Sequence, residues 1–468
     1  MKKLYISSLF AVMMLFATSC GEEFLDLTPQ QSIVNEDFLL TYSDFEAAIV
    51  GAYDQMQLAD WYGRYLPLVA DVMGEDVKQN SSANRASEWA EYRGYADHFI
   101  PEEFWAEIYE EINIVNSIIN SDFEAPEAIA TDFNQILGEA YAIRALAYFD
   151  LVRIFSQHYT YTADASHPGV PIVLEFDLQS RPARSTVAEV YAQVISDFEQ
   201  AISLMSITPS TSGTFSEAAA QALLSRVYLY MEDYDMAESY ATQVISSGDY
   251  SLVPAESYAT QFLDGNSSES IFEIVYTTVD NPGSDHLGGM YKATGYGDYL
   301  PSEDLLALMD ENDIRSTLFL EDENLGGIYG NIRVNKYPSS GSALGTDNIP
   351  VIRLSEVYLN RAEARAKSGD DTGAQEDLNT IRQRANSAAA TVTATGDALI
   401  TEILNERRVE LCFEGHRLFD LTRNKLDMVR NDCTSSVCEV DYPNDRFIFA
   451  IPNAEINVNA NMTQNDGY

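Results

Sequence analysis

Basic residues are scarce in this chain. Lysine and arginine number 28 against 73 aspartates and glutamates, for a formal net charge of −45. A field of that sign repels phosphate backbones and argues against nucleic acid as a partner. It also disfavours anionic polysaccharides, and beyond solubility it names no ligand. Histidine is sparse too: His98, His158, His167, His286 and His416 stand singly, without zinc-ligand spacing. Neither a Gly-x-Ser-x-Gly elbow nor a phosphate loop occurs. No catalytic residue, metal or cofactor is therefore expected. A carboxylate pair for glycoside hydrolysis cannot be read from sequence among so many acids, so a surface glycosidase stays as a minor alternative. Asp310-Glu311-Asn312-Asp313 lacks the EF-hand ligand pattern and reads as a solvated turn. Cysteines number four. Cys412 lies among apolar helix positions as a small buried hydrophobe. Cys433 and Cys438 flank a short polar loop and could pair in an oxidising compartment.

Long apolar runs are also missing, except at the start. Lys2 and Lys3 precede an apolar stretch from Leu4 to Phe16, and the small residues Ala17-Thr18-Ser19 lead to Cys20. That order reads as a secretory signal over residues 1–19, too short to span a bilayer core of about 20 residues. A cysteine directly after the small residues suggests lipid attachment at Cys20, although Ala17 stands where a lipobox usually carries leucine. Several acyl chains on that residue would anchor firmly, where one gives only marginal binding. Residues 20–35 then read as an acidic tether.

From about residue 40 the dominant signal is helical. Ile136, Ala140, Ile143, Ala147, Leu151 and Phe155 recur every three or four positions, and Val187 to Leu204 repeats the pattern behind an N-cap at Thr186 or Ser185 with Glu189 in the first turn. Residues 216–247 and 354–386 look like two copies of one helical hairpin, with breaks at Glu232-Asp233 and Gly369-Asp370. Laying Ala237 over Ala374 superposes Asp233 on Asp370 and Arg226 on Glu363. The pattern is that of tetratricopeptide-like hairpins, which must stack to bury their apolar faces. Between the copies, about 250–350, lies a Gly-, Asn- and Tyr-rich stretch with one short strand at 271–276. A long loop-rich segment carried on a rigid scaffold is a natural recognition surface.

Several stretches resemble the SusD/RagB family of nutrient-binding outer-membrane lipoproteins. Ala142-Ile143-Arg144-Ala145 with Tyr148 to Arg153, then Gly169-Val170-Pro171, is similar to one family helix and its sequel; Arg184-Ser185-Thr186 leads into the next helix. Ile352 to Leu359 with Ala362-Glu363-Ala364, Glu406 to Leu411, Glu414-Gly415-His416-Arg417 with Phe419-Asp420-Leu421, and the ending from Ile451-Pro452 to Gly467-Tyr468 follow in order. Gly21-Glu22-Glu23 after Cys20 resembles the signal that sends Bacteroidetes lipoproteins to the outer face of the outer membrane. Arg407, Glu410, Glu414 and Arg417 read as ion pairs and caps between stacked helices. The resemblance implies a mainly α fold: one body over 36–468, with a helical scaffold at about 36–250 and 350–430 and a variable region at about 250–350. It also implies a non-catalytic protein at the cell exterior that captures glycan for a SusC-like TonB-dependent transporter. Capture of peptide, as in RagB, is the alternative.

Sugar rings present apolar C–H faces that flat aromatic side chains cover, while polar groups at the rim read the hydroxyls. Aromatics in polar contexts are therefore the binding candidates, each with ordinary packing as its alternative. They fall in three clusters: Trp61, Tyr62 and Tyr65; Trp89, Tyr92 and Tyr95; and Tyr291, Tyr296 and Tyr299. Trp89 leads, because family members tend to carry an aromatic platform in this early loop. Asp71 and Asp76 are candidate acceptors and Arg64 and Arg85 candidate donors, whereas Trp105, at a helix start, reads as core.

Overall fold

In the computed structural model, residues 39–468 are described apart from Ser82, Leu178 and residues 340–342. The expected signal, Cys20 and the tether lie outside the described residues.

Closely spaced alanines let residues 130–155 run as one long central helix with neighbours on both sides. We label the main helices α1 (Tyr42–Met56), α2 (Tyr65–Val72), α3 (Phe99–Ile119), α4 (Ala130–Phe155) and α5 (Val187–Leu204). Ala140, Ala147 and Phe155 of α4 are fully buried, with α3 packed on one side and α5 on the other. Helix α5 starts at a capping box. Thr186 Oγ1 accepts from the Glu189 N–H at 3.2 Å and Glu189 Oε2 accepts from the Thr186 N–H at 2.8 Å. A buried fork then pins α4 to α5, as Arg144 donates to both Asp197 carboxylate oxygens at 2.7 and 2.8 Å.

The two expected hairpins are present as α6 (Glu217–Met231) with α7 (Tyr234–Ser247), and α8 (Leu354–Ser368) with α9 (Asp371–Ala385). Asp233 and Asp370 cap the second helix of each, accepting from the Met236 and Gly373 N–H groups. The turn before each cap needs a left-handed residue. Gly369 supplies it freely at φ +90°, whereas Glu232 holds φ +62° and accepts from Thr160 Oγ1 at 2.8 Å. Helix α8 packs on α7, on α9 and on α10 (Asp397–Glu410), and α11 (Arg417–Arg423) returns to α2.

Every sheet among the described residues is an antiparallel two-stranded pair. β1 (Val77–Gln79) pairs β3 (Tyr299–Pro301), β2 (Ser270–Ile274) pairs β6 (Ile349–Arg353), β4 (Phe319–Glu321) pairs β5 (Ile332–Val334), and β7 (Met428–Val429) pairs β8 (Glu439–Val440). The β2–β6 pair closes the base of the variable stretch, so residues 275–348 leave and re-enter the scaffold at one place.

Much of the acidity is used internally. Glu410 accepts from Arg353 at 2.7 Å, Arg384 at 2.6 Å and Arg315 at 3.1 Å. Burial acts to raise its pKa, but the three guanidinium groups hold it well below the usual carboxylate range. The partners of Arg407, Glu414 and Arg417 likewise come from other elements: Asp420, Arg353 with Lys336, and Glu75. Arg184 fastens the chain end, donating to the Gly169, Pro168 and Phe155 carbonyls, the Thr463 carbonyl and Asn465 Oδ1. Cys412 is free and buried, and Cys433 and Cys438 are joined in a disulfide.

Candidate functional site

The short β1–β3 pair assembles the candidate surface. It sets Gln79 opposite Tyr299, and the ladder continues as the Asn80 N–H donates to the Asp298 carbonyl at 2.8 Å. The loop after β1 thereby lies against the glycine-rich run before β3. Asn80 fastens a third segment: its side-chain amide donates to the Gly297, Leu325 and Gly326 carbonyls at 3.0–3.3 Å, so the tip of the β4–β5 hairpin sits alongside. Gly327, at φ +109°, packs so closely that a Cβ there would meet Asn80 Oδ1 at 2.2 Å. Ile328 beside it is 82% exposed.

Across these segments a continuous strip of aromatic and charged groups reaches the surface. Tyr95 and Phe99 are 52% and 51% exposed, with the ring of His98 between them, 5.2 Å from Tyr95 and stacked 4.6 Å from Phe99. His98 caps α3, its Nδ1 accepting from the Ile100 N–H at 3.1 Å, which fixes Phe99 at the outward start of that helix. Burial lowers the His98 pKa, so the ring is neutral at pH 7 and able to accept. Phe99 meets the buried Tyr65 ring edge-on at 6.0 Å, and the Arg64 guanidinium covers Tyr65 at 4.2 Å. Arg64 donates to Asp285 Oδ1 at 2.7 Å, and Tyr296 Oη donates to the same oxygen at 3.0 Å. The Arg85 guanidinium lies 3.1 Å over the Tyr296 ring and donates to Asp298 Oδ2 at 3.1 Å. Burial raises the Asp298 pKa, opposed by Arg85.

The three aromatic clusters named from the sequence do converge here, but most of their members form the floor. Trp61 is fully buried, donating from Nε1 to Asp150 Oδ2 at 2.9 Å, and Tyr62 packs beside it. Trp89, the expected platform, is only 3% exposed. His98 and Phe449 cover its indole at 4.6 and 5.2 Å, and Gly94 closes over it. Tyr92 turns inward, its hydroxyl donating to the Met73 carbonyl. Tyr291 and Tyr299 are fully buried, and the Tyr299 hydroxyl donates to the Arg85 carbonyl. Trp61, Tyr65, Trp89 and Tyr299 are thus buried, which corrects the expectation for these four; Tyr92 is half-buried with its hydroxyl turned inward. Asp71 is buried as well. It accepts from the Gly415 N–H at 3.3 Å, and burial, with Asp76 nearby, pushes its pKa well above the usual range. Asp76 pairs with Arg408 at 2.6 Å. Neither acid reaches the surface. Tyr95 is exposed and Tyr296 and Arg85 are half-buried at the edge of the surface, whereas Arg64 is buried beneath it and reaches outward only through Asp285; Trp105 is core as expected.

Two members escaped sequence reasoning. Phe99 was hidden because it belongs to an amphipathic helix start. Asp285 was hidden because its partners Arg64 and Tyr296 lie in separate segments.

A cleft of about 780 Å³ opens elsewhere, between the end of α3 and residues 175–176, lined by Leu39, Asn120, Phe123 and Phe176. It abuts Leu39, where the described chain begins, and none of its described lining residues is basic. Among the described residues no three His, Cys, Asp or Glu side chains gather to hold a metal ion, and no helix is long and apolar enough to cross a membrane.

Solved structures with the same architecture include a SusD superfamily protein of Bacteroides thetaiotaomicron, 31% identical and superposing with a TM-score of 0.83 over 91% of this chain and 100% of that one. The chain belongs to the SusD family. A second SusD superfamily structure, from Bacteroides vulgatus, is also 31% identical, with a TM-score of 0.81 over 92% and 99% of the two chains. Residues 317–468 match the model described as SusD family, and residues 23–229 match one described as "Starch-binding associating with outer membrane". SusD-like protein P38 of Formosa agariphila is 26% identical over 90% of this chain and 91% of its own length. The starch-binding protein SusD of Bacteroides thetaiotaomicron is 35% identical over a shorter stretch, 30% of this chain and 25% of its own. Mainly α architecture is shared with these SusD neighbours.

Proposed function

We propose that this SusD-family chain is a non-catalytic glycan-binding lipoprotein of the outer membrane, tethered through Cys20 and facing the exterior. It captures oligosaccharide and passes it to a SusC-like TonB-dependent transporter. The observation that carries the reading is the strip from Tyr95 through Phe99, Arg64, Asp285 and Tyr296 to Arg85, where the half-exposed rings of Tyr95 and Phe99 adjoin a hydrogen-bonded polar cluster of Asp285, Tyr296 and Arg85 braced from beneath by the buried Arg64. The rings cover the C–H faces of successive sugars, the guanidinium groups donate to ring and hydroxyl oxygens, and Asp285 accepts from hydroxyls. Membership of a family whose matching model carries a starch-binding description supports the same ligand class. Three or four such contacts give micromolar to millimolar affinity, about −8 to −4 kcal/mol, sufficient where a transporter gives the process its direction.

Calorimetric titration of the purified protein against a panel of neutral oligosaccharides tests this. Saturable binding that weakens in Phe99→Ala and Arg85→Ala supports it. Peptide binding at the same residues, with no glycan bound, replaces glycan by the RagB-like ligand class. Product formation during incubation overturns the non-catalytic part.

A further inference from the structure

A short C-terminal hairpin stands behind the ligand-facing loop and grips both of its ends. Strands β7 and β8 carry the turn closed by the Cys433–Cys438 disulfide. Arg430, at the base of that turn, is buried, and among the described residues no carboxylate pairs with it. Its guanidinium is spent mainly on carbonyls: Nη2 donates to Val72 at 2.7 Å and Nε to Gly74 at 2.9 Å, while Nη1 donates to Ala90 at 2.6 Å and, within its own turn, to Val437 at 3.0 Å and Ser435 Oγ at 2.9 Å. Val72 and Gly74 stand at the entry of the excursion that carries β1 and Arg85, and Ala90 stands at its exit. Two more turn residues hold the strand between. Asp432 accepts from Lys78 Nζ at 2.9 Å and from the Glu303 N–H at 2.8 Å, and Thr434 Oγ1 donates to the Gln79 carbonyl at 2.7 Å. Five donors in one rigid plane make arginine suited to tying carbonyls that diverge in this way.

We propose that Arg430, Asp432 and Thr434 are positioning residues for ligand binding, and that the Cys433–Cys438 bond keeps them in register. The proposal rests on the glycan-binding reading of the strip and adds how that strip is held. Arg85 reaches Tyr296 and Asp298 only if residues 74–90 keep their course. The turn that fixes this course is itself held open or closed by one covalent bond, whose Cys438 end is exposed. A site whose supporting groups loosen by an ångström loses affinity without losing its contact residues.

The test compares the purified wild type with Thr434→Val, Asp432→Asn and the double variant Cys433→Ser/Cys438→Ser. Three measurements are made on each: oligosaccharide affinity, hydrogen exchange of amides 77–92, and thermal midpoint. The expected result is affinity about tenfold weaker in the double variant, with faster exchange confined to 77–92 and a nearly unchanged midpoint. A dithiol reagent, which turns the S–S bond into two thiols as it becomes a cyclic disulfide, should reproduce the effect in the wild type, and reoxidation should reverse it. Unchanged affinity and exchange in all variants would overturn the proposal. So would faster exchange throughout the helices, since that marks general stability. If the wild type binds no oligosaccharide, the functional reading fails while the exchange of 77–92 still decides whether the hairpin holds the loop.

Discussion

Arg226 and Glu356 face each other in the core between α6 and α8, with Arg226 Nε and Nη2 each 2.6 Å from a Glu356 oxygen. The pair joins the first helices of the two hairpins. Burial acts to raise the Glu356 pKa, but Arg226 and His416 outweigh it and hold the carboxyl at about 2. Arg226 also donates to the Val351 carbonyl, so the strand that opens the second hairpin is fixed with it.

Glu356→Leu should therefore destabilise strongly, because it strands a buried guanidinium; removing one partner of such a pair costs about 3–5 kcal/mol. Adding Arg226→Met should recover much of the loss. Because the folded pKa of Glu356 is depressed, its contribution is present above the usual value of 4.5 and lost as pH falls through about 2. Urea unfolding of the wild type, the single and the double variants across that window checks both statements. Equal stability of the single and double variants would remove the pairing argument.

Trp89→Ala is expected to act on the fold before it acts on the ligand. The indole is enclosed by His98, Phe449 and Gly94, and truncating a buried tryptophan costs about 3–5 kcal/mol. The thermal midpoint should drop clearly. A midpoint within a degree or so of wild type would mean the indole is not enclosed.

Tyr95→Ala and Phe99→Ala should behave in the opposite way. Both rings are half exposed, so stability should change little, while affinity for a bound oligosaccharide should weaken about tenfold for each, near 1.4 kcal/mol. Titration and thermal unfolding of the same samples separate the two effects. Full affinity in both variants would place the ligand elsewhere.

Glu111 lies buried in α3 with neither carboxylate oxygen hydrogen-bonded. Burial raises its pKa well above 4.5, so the group folds as a neutral acid. A raised folded pKa means that its contribution is complete below the unfolded value and is lost as pH rises through the folded one. Glu111→Gln removes that titration. The variant should match wild type near pH 4.5 and gain stability relative to it as pH rises. A difference independent of pH would show that the acid is not buried as described.

The helices were legible because their signals are local. The stripe on α4 and the N-cap at Thr186 with Glu189 in the first turn depend on residues three or four apart, and both were found where expected, as were the breaks at Glu232-Asp233 and Gly369-Asp370. The short strand was found one residue early, at Ser270–Ile274. Arg407, Glu410, Glu414 and Arg417 read as ion-paired, yet their helical spacing gave no hint of Arg353, Lys336, Glu75 or Asp420 as partners. The aromatic clusters show the same limit more sharply. Polar neighbours in sequence suggest an exposed loop, but Trp89 sits in a short helical turn and Tyr299 opens β3, and their burial is decided by segments far along the chain. Phe99, in an apolar context, is left as exposed as Tyr95.

Strands β1 and β3 are three residues each and more than two hundred residues apart in the chain. Closing so long a loop for so small a ladder is slow and entropically unfavourable until the intervening helices have formed. The binding surface should thus be among the last parts of the molecule to mature. A chain interrupted before residue 285 could fold several of its helices and still lack Asp285, Tyr296 and the β3 strand that holds them against β1. Ligand capture would then report that synthesis and folding had both run to completion.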